Sequence, residues 1–237
     1  MELTFIQLAG VTIQEPITFL TDVLLGIECL IFFFILWTRY NESPVARWTA
    51  AFFLLFGLGT IEGGIVNHAI QYMVGPAWKF PMVLLVGSSI PCLVIASLYS
   101  LRPRVLNKPT YSFWIALVSV EYVAFLIYLT QQPRVEINFK TLIPHLVVGM
   151  VLFAASLQYY GHRRDPQIAR KWKLAGIIAT LPAGLIVLLK INPNIWFNTF
   201  DLVHVVLMVP TYLIFVSAKS FAQHTPDAPI PMGEISQ

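Results

Sequence analysis

Seven stretches of this chain are each long and apolar enough to cross a bilayer, and almost nothing separates them. A span needs about 20 mostly apolar residues. The stretches lie at about 17–37, 49–72, 80–100, 111–130, 142–160, 173–190 and 199–218. The breaks between them are short and carry turn chemistry, as in Asn41-Glu42-Ser43-Pro44, Arg102-Pro103-Arg104 and Asn192-Pro193-Asn194. None is long enough for a separate domain, and no internal repeat of the kind that builds many transporters is visible. Composition agrees: 57% of residues are hydrophobic and 11% charged, less than half the charge of a soluble domain. A soluble enzyme, a disordered chain, a coiled coil and a nucleic-acid binder are excluded. Cys29 and Cys92 both lie inside apolar runs, so neither a disulfide framework nor a Cys-rich zinc site is available. The first sixteen residues hold no Lys or Arg, unlike the basic start of a signal peptide. The expected fold is all-α: a polytopic membrane protein, a seven-transmembrane-helix bundle over residues 1–222, with a polar, mobile tail at 223–237.

Orientation follows from the positive charges. With the N-terminus outside, the inner segments hold Arg39, Arg47, Arg102, Arg104, Lys108, Arg163, Arg164, Arg170, Lys171, Lys173 and Lys219, against Lys79, Arg134, Lys140 and Lys190 outside. The bias places the N-terminus out and the C-terminus in. Trp37, Trp48, Trp78, Trp172 and Trp196 fall near span ends, where aromatic rings bridge headgroups and tails. The basic run at 163–173 reads as a topology signal touching anionic headgroups.

An ionisable side chain inside a span costs at least about 2.5 kcal/mol on insertion scales, so each one calls for a reason. Asp22, Glu28, Glu62, Glu121 and Asp201 are such acids, and His68, His145 and His204 such histidines. With alternating helix directions, Asp22, His68, His145, Asp201 and His204 collect at one depth in the outer half. Asp201 and His204 share a helix face at i and i+3, so both can point at one ion, or the aspartate can orient the imidazole. Catalytic zinc takes three N or O ligands and leaves a position to water; His68, His204 and either Asp201 or His145 supply that set. Glu62 stands about 9 Å of rise from His68 and well round an α-helix from it, fit to line the cavity as a proton acceptor. Glu121 has no partner evident in sequence. The plainer reading of each residue is interhelix hydrogen-bonding, common in membrane bundles.

A histidine late in helix 2 and a histidine face early in helix 7, His68 and His204, resemble the CREST superfamily of seven-helix membrane hydrolases and receptors, which includes the alkaline ceramidases and the progestin/adipoQ receptors. The stretch Asn198-Thr199-Phe200-Asp201-Leu202-Val203-His204 also looks like the N-x-x-D-L-x-H segment of bacterial seven-helix proteins distantly similar to that group. The resemblance implies zinc held by one histidine of helix 2 and two of helix 7, spaced HxxxH, with a zinc-bound water attacking a lipid amide. The first histidine of HxxxH falls on Phe200, the family serine before the helix 2 histidine on Gly64, and the acid early in helix 3 on the stretch Lys79-Phe80-Pro81.

The leading expectation is therefore a zinc-dependent intramembrane hydrolase of a lipid-like amide or ester, reached from the outer leaflet. Its ligands would be His68 and His204 with Asp201 or His145, and its catalytic residues Glu62, as general base, and Asp201, as third ligand or orienting group. Two alternatives remain open. One is a non-catalytic subunit of a larger membrane complex binding haem, pigment or quinone, since haem needs only one or two histidines. The other is a receptor or small-solute carrier using Asp22, Glu28, Glu62 and Glu121 as a polar path. A retinal protein is not expected, because helix 7 has no mid-span lysine and Lys219 is at its inner end. The expected location is multi-pass in a bacterial inner (cell) membrane, with membrane lipids and a lipid-like substrate as partners and no nucleic acid.

Overall fold

Short polar breaks become helix starts. Ser43 accepts from the backbone N–H of Ala46, with Pro44 in the first turn. Asn107 accepts from Thr110, with Pro109 behind it. Asn138 and Thr141 bond each other reciprocally. Such residues satisfy the free N–H groups of a first turn, and proline there gives up no helical bond. A computed structural model describes residues 4–102 and 105–224; Pro103, Arg104 and the tail from residue 225 lie outside the described residues.

Seven helices are long and apolar enough to cross a membrane: α1 (Pro16–Tyr40), α2 (Pro44–Ala69), α3 (Pro76–Leu101), α4 (Lys108–Gln131), α5 (Phe139–Arg164), α6 (Ile168–Leu188) and α7 (Thr199–Gln223). The chain is an integral multi-pass membrane protein. Each expected span lies on one of these helices. Helix α6, like α2, begins five residues before the sequence reading, and so takes Arg170 and Lys171 into its first turns.

Helix α2 lies between α1 and α3, α7 closes against α1 and α6, and α4 and α5 pack on α3. Leu25, Cys29, Phe32 and Leu36 of α1 meet Phe53 of α2 and Phe215 of α7 in the largest core cluster. Apolar side chains such as Phe34, Val120 and Leu188 face outward, as a surface solvated by lipid tails allows.

Two features were not expected. Residues Phe5–Leu8 (β1) and Val11–Gln14 (β2) pair antiparallel as a hairpin. Ala9 and Gly10 form its turn with φ of 50° and 81°, the sign that two-residue hairpin turns require. The hairpin is tied to the bundle where Tyr72 donates its hydroxyl to the carbonyl of Thr12 at 2.9 Å. The second feature is π-helical winding, over Gly63–Ala69 in α2 and Val147–Ala155 in α5. The first stretch holds His68 and the second starts two residues after His145, and π-helical turns are frequent at functional sites.

Candidate functional site

The site is built at the hairpin end of the bundle, where α1, α2 and α7 meet. Gly64 makes the meeting possible. A Cβ at Gly64 would stand 2.8 Å from the Cβ of Asp22 and 3.1 Å from the carbonyl of Phe19, so only glycine lets α2 lie this close to α1. The serine that the resembled family carries at this position would collide with Asp22.

Asp22 is the hub. Its Oδ1 lies 3.1 Å from Nε2 of His204, and its Oδ2 lies 3.8 Å from Nε2 of His68. Behind His68, the Nδ1 atom is 2.9 Å from Oε2 of Glu15. A carboxylate only accepts, so Nδ1 of His68 donates. Behind His204, the Nδ1 atom is 3.3 Å from the Thr21 hydroxyl. The result is a continuous line, Glu15–His68–Asp22–His204–Thr21, with acid and imidazole alternating. Asp22 is 6% exposed, His204 14% and His68 20%, so the line is enclosed but accessible at His68.

Glu15 reaches His68 from the residue between β2 and α1, in a left-handed conformation with φ 46° and ψ 57°. A non-glycine residue seldom holds that shape without support. Here the support is a 2.8 Å bond from its N–H to the carbonyl of Thr4.

Asp201 acts mainly on its own helix. One of its oxygens accepts from the backbone N–H of Asn198, while Asn198 Oδ1 accepts from Phe200 and Asp201. This is a reciprocal cap at the start of α7. Its Oδ1 is buried without a partner. Asp201 and His204, expected to aim together, diverge: the acid turns back to the cap and the imidazole turns to α1. Phe200, at the position of the family's first helix 7 histidine, sets its ring 6.3 Å from that of His68.

Glu62 and Asn67 are unsatisfied. Both carboxyl oxygens of Glu62, and both polar atoms of the Asn67 side chain, are buried with no hydrogen-bond partner. On a π-helix residues i and i+5 are bonded neighbours, so Asn67 stands nearly above Glu62 rather than round the helix from it. Asn67 Nδ2 and Asp22 Oδ2 each lie 3.9 Å from where a Cβ on Gly63 would be. They border one space.

His145 belongs to a different place. Its Nδ1 is 2.6 Å from Oε1 of Glu121 on α4, its Nε2 is 2.9 Å from the carbonyl of Gly87 on α3, and its ring stacks on Phe125 at 4.2 Å. Both of its ring nitrogens are taken by α3 and α4, away from His68. Glu121, without an evident partner in sequence, has one here. Glu28, one and a half turns below Asp22, accepts from Thr211 of α7 at 3.1 Å.

Zinc fits the donor chemistry, two imidazoles and an aspartate, but not the arrangement. One imidazole is set on each oxygen of Asp22, so the donors form a line instead of converging. Among the described residues, no three His, Cys, Asp or Glu side chains are placed to hold a metal ion. As arranged, these residues are not a zinc ligand set.

Three participants were missed in the sequence: Glu15, Thr21 and the central role of Asp22. Glu15 sits just outside the first apolar run, where a search for acids within spans does not look. The Glu15-Pro16 step, an acid immediately before a helix start, was its one visible signal.

Comparison with curated proteins and with solved structures finds no match to this chain. A family model does match it, over residues 17–223 and hence all seven helices. The chain belongs to that family, described as a family of unknown function (DUF6962).

Proposed function

We propose that the hairpin-end site is the acid–base centre of an intramembrane hydrolase acting on a lipid-like amide or ester. The observation that carries this reading is the Glu15–His68 pair. A carboxylate 2.9 Å from Nδ1 holds the imidazole in the tautomer that leaves Nε2 without a proton. That nitrogen is 3.8 Å from the nearest acid oxygen, too far for a direct bond and suited to a water shared with Asp22. A carboxylate-oriented imidazole is the usual general base of acyl transfer.

In this mechanism His68 takes a proton from that water as its oxygen attacks the substrate carbonyl. The unpartnered Nδ2 of Asn67 donates to the oxygen that becomes negative. The carbon–nitrogen or carbon–oxygen bond then breaks, and His68 returns the proton to the leaving group. His204 and Thr21 hold Asp22 in place. Exposed Ile65, Tyr72 and Met73 offer an apolar wall for an acyl chain. By the charge bias the site faces the outer leaflet.

A carrier is the weaker alternative, because a path must continue. Beyond Glu28 the α1–α7 seam is filled by Phe32, stacked on Phe215 at 4.4 Å and edge-on to Phe53 at 5.3 Å.

The test is turnover of fluorogenic acyl amides and acyl esters, short and long, by the full chain in nanodiscs. Turnover that His68→Ala abolishes and His145→Ala keeps is expected. No turnover across the panel, or equal turnover by His68→Ala, overturns the reading. Elemental analysis of the same samples decides the zinc question: about one zinc per chain, lost in His204→Ala, would establish it.

A further inference from the structure

The opposite end of the bundle holds a second group of buried polar atoms, unconnected with the site above. Arg163, Arg164 and Lys171 of the basic run are exposed, as headgroup contacts should be. Arg170 and Lys173 are not: each is 1% exposed. Arg170 is held by Asp165, through Nε to the backbone carbonyl and Nη2 to the carboxylate, both at 3.1 Å. Lys173 is held by nothing. Its Nζ is buried without a hydrogen-bond acceptor, and among the described residues no carboxylate pairs with it. An ammonium removed from water needs a counter-charge close by.

The facing helix supplies matching vacancies. Gly161 of α5 lies against Arg170, since a Cβ there would be 2.9 Å from Nη1. Helices α5 and α6 run antiparallel through a short turn. One turn deeper from Gly161 is Gln158, and one turn deeper from Arg170 is Lys173, so the two lie at the same level. Gln158 is fully buried; its Nε2 bonds the Ser100 hydroxyl at 3.0 Å, and its Oε1 has no partner. On the same side of α5, Nδ1 of His162 is also buried and unpartnered. A positive donor, a neutral acceptor and an imidazole nitrogen are thus each left unmet at this end of α5 and α6.

We propose that these three side chains converge on a binding site for a phosphate group bearing a P–OH, either free inorganic phosphate or the headgroup of a phosphomonoester lipid. Its charged oxygens accept from Lys173 and His162, and its hydroxyl donates to the Oε1 of Gln158. A simple carboxylate would answer the lysine and leave the glutamine oxygen unmet. Basic pockets between helices at a membrane's inner side are known to take anionic headgroups.

The test uses the full chain in phosphatidylcholine nanodiscs. The unfolding midpoint is followed as inorganic phosphate is added, and separately with phosphatidic acid in the bilayer. A saturable rise with phosphate assigns the free ion; a rise with phosphatidic acid alone assigns the headgroup. In either case apparent affinity falls at least tenfold in Lys173→Gln and is kept within a few-fold in Lys173→Arg. Lys173→Met checks folding, because removal of an unpaired buried charge raises the midpoint of the ligand-free protein. No rise with either ligand, or an equal rise in Lys173→Gln, overturns the proposal.

Discussion

Two histidine centres stand in this bundle, and they are opposites. His145 is 3% exposed, stacks on Phe125, and has both nitrogens bonded, one to Glu121 and one to the carbonyl of Gly87. Because that carbonyl only accepts, Nε2 carries a proton, and a second proton is shared across the 2.6 Å contact with Glu121. Nothing is left over. At the α1–α2–α7 site, His68 keeps one nitrogen without a direct bond, and Glu62, Asn67 and Asp201 keep buried oxygens or nitrogens unmet. Unsatisfied polar atoms are costly in a bilayer. A satisfied centre is explained by holding helices together; an unsatisfied one asks for a further occupant, whether water or substrate.

That contrast is open to mutation, and the largest expected effect is on turnover. His68→Ala removes the proposed general base and should lower acyl amide or ester hydrolysis by about 10²–10⁴-fold, with little change in the unfolding midpoint. If hydrolysis falls no more than it does in His145→Ala, the two centres are not functionally different. Glu15→Gln should come next. It keeps the side-chain shape but weakens the hold on the tautomer of His68, and a loss of about tenfold to a hundredfold in kcat is expected, with KM little altered.

The next two effects are on stability. Glu121→Ala leaves His145 buried without its partner, a change worth about 3 kcal/mol or more for a buried ion pair. It should lower the unfolding midpoint while sparing turnover; a loss of turnover at an unchanged midpoint would reverse the assignment. Gly64→Ala pushes a methyl group toward Asp22 and should cost about 1–3 kcal/mol by overpacking, with a loss of activity as α2 moves from α1. The smallest effect is expected from Tyr72→Phe. It removes one exposed bond to Thr12, worth about 1 kcal/mol, and should appear as faster amide exchange in the hairpin with the bundle unchanged.

Legibility followed the range of the interaction. His68, His204 and Asp201 were visible because an ionisable residue in an apolar run stands out by itself. That Asp201 would cap α7 was also local information, in the Asn198-x-x-Asp201 spacing, but its pairing with His204 at i+3 was the more attractive reading. Glu62 was judged with α-helical geometry, and the π-helical turns of Gly63–Ala69 changed which residues share its face. The expected join of His145 to the other histidines rested on depth, which gives one coordinate of three. At the basic end, five positive residues looked alike in the sequence, and packing against α5 separated Arg170 and Lys173 from the rest.

Hydropathy alone determined that the chain crosses the membrane seven times and where each crossing lies. Burial in lipid demands long apolar runs with every backbone group bonded inside its own helix, so that constraint is written residue by residue. Which polar groups meet was decided only in three dimensions. The approach of α1 to α2 at Gly64, the hairpin that delivers Glu15, and the separation of His145 from His68 all depend on contacts between distant segments. Those contacts involve single side chains, and no run or period in the chain announces them.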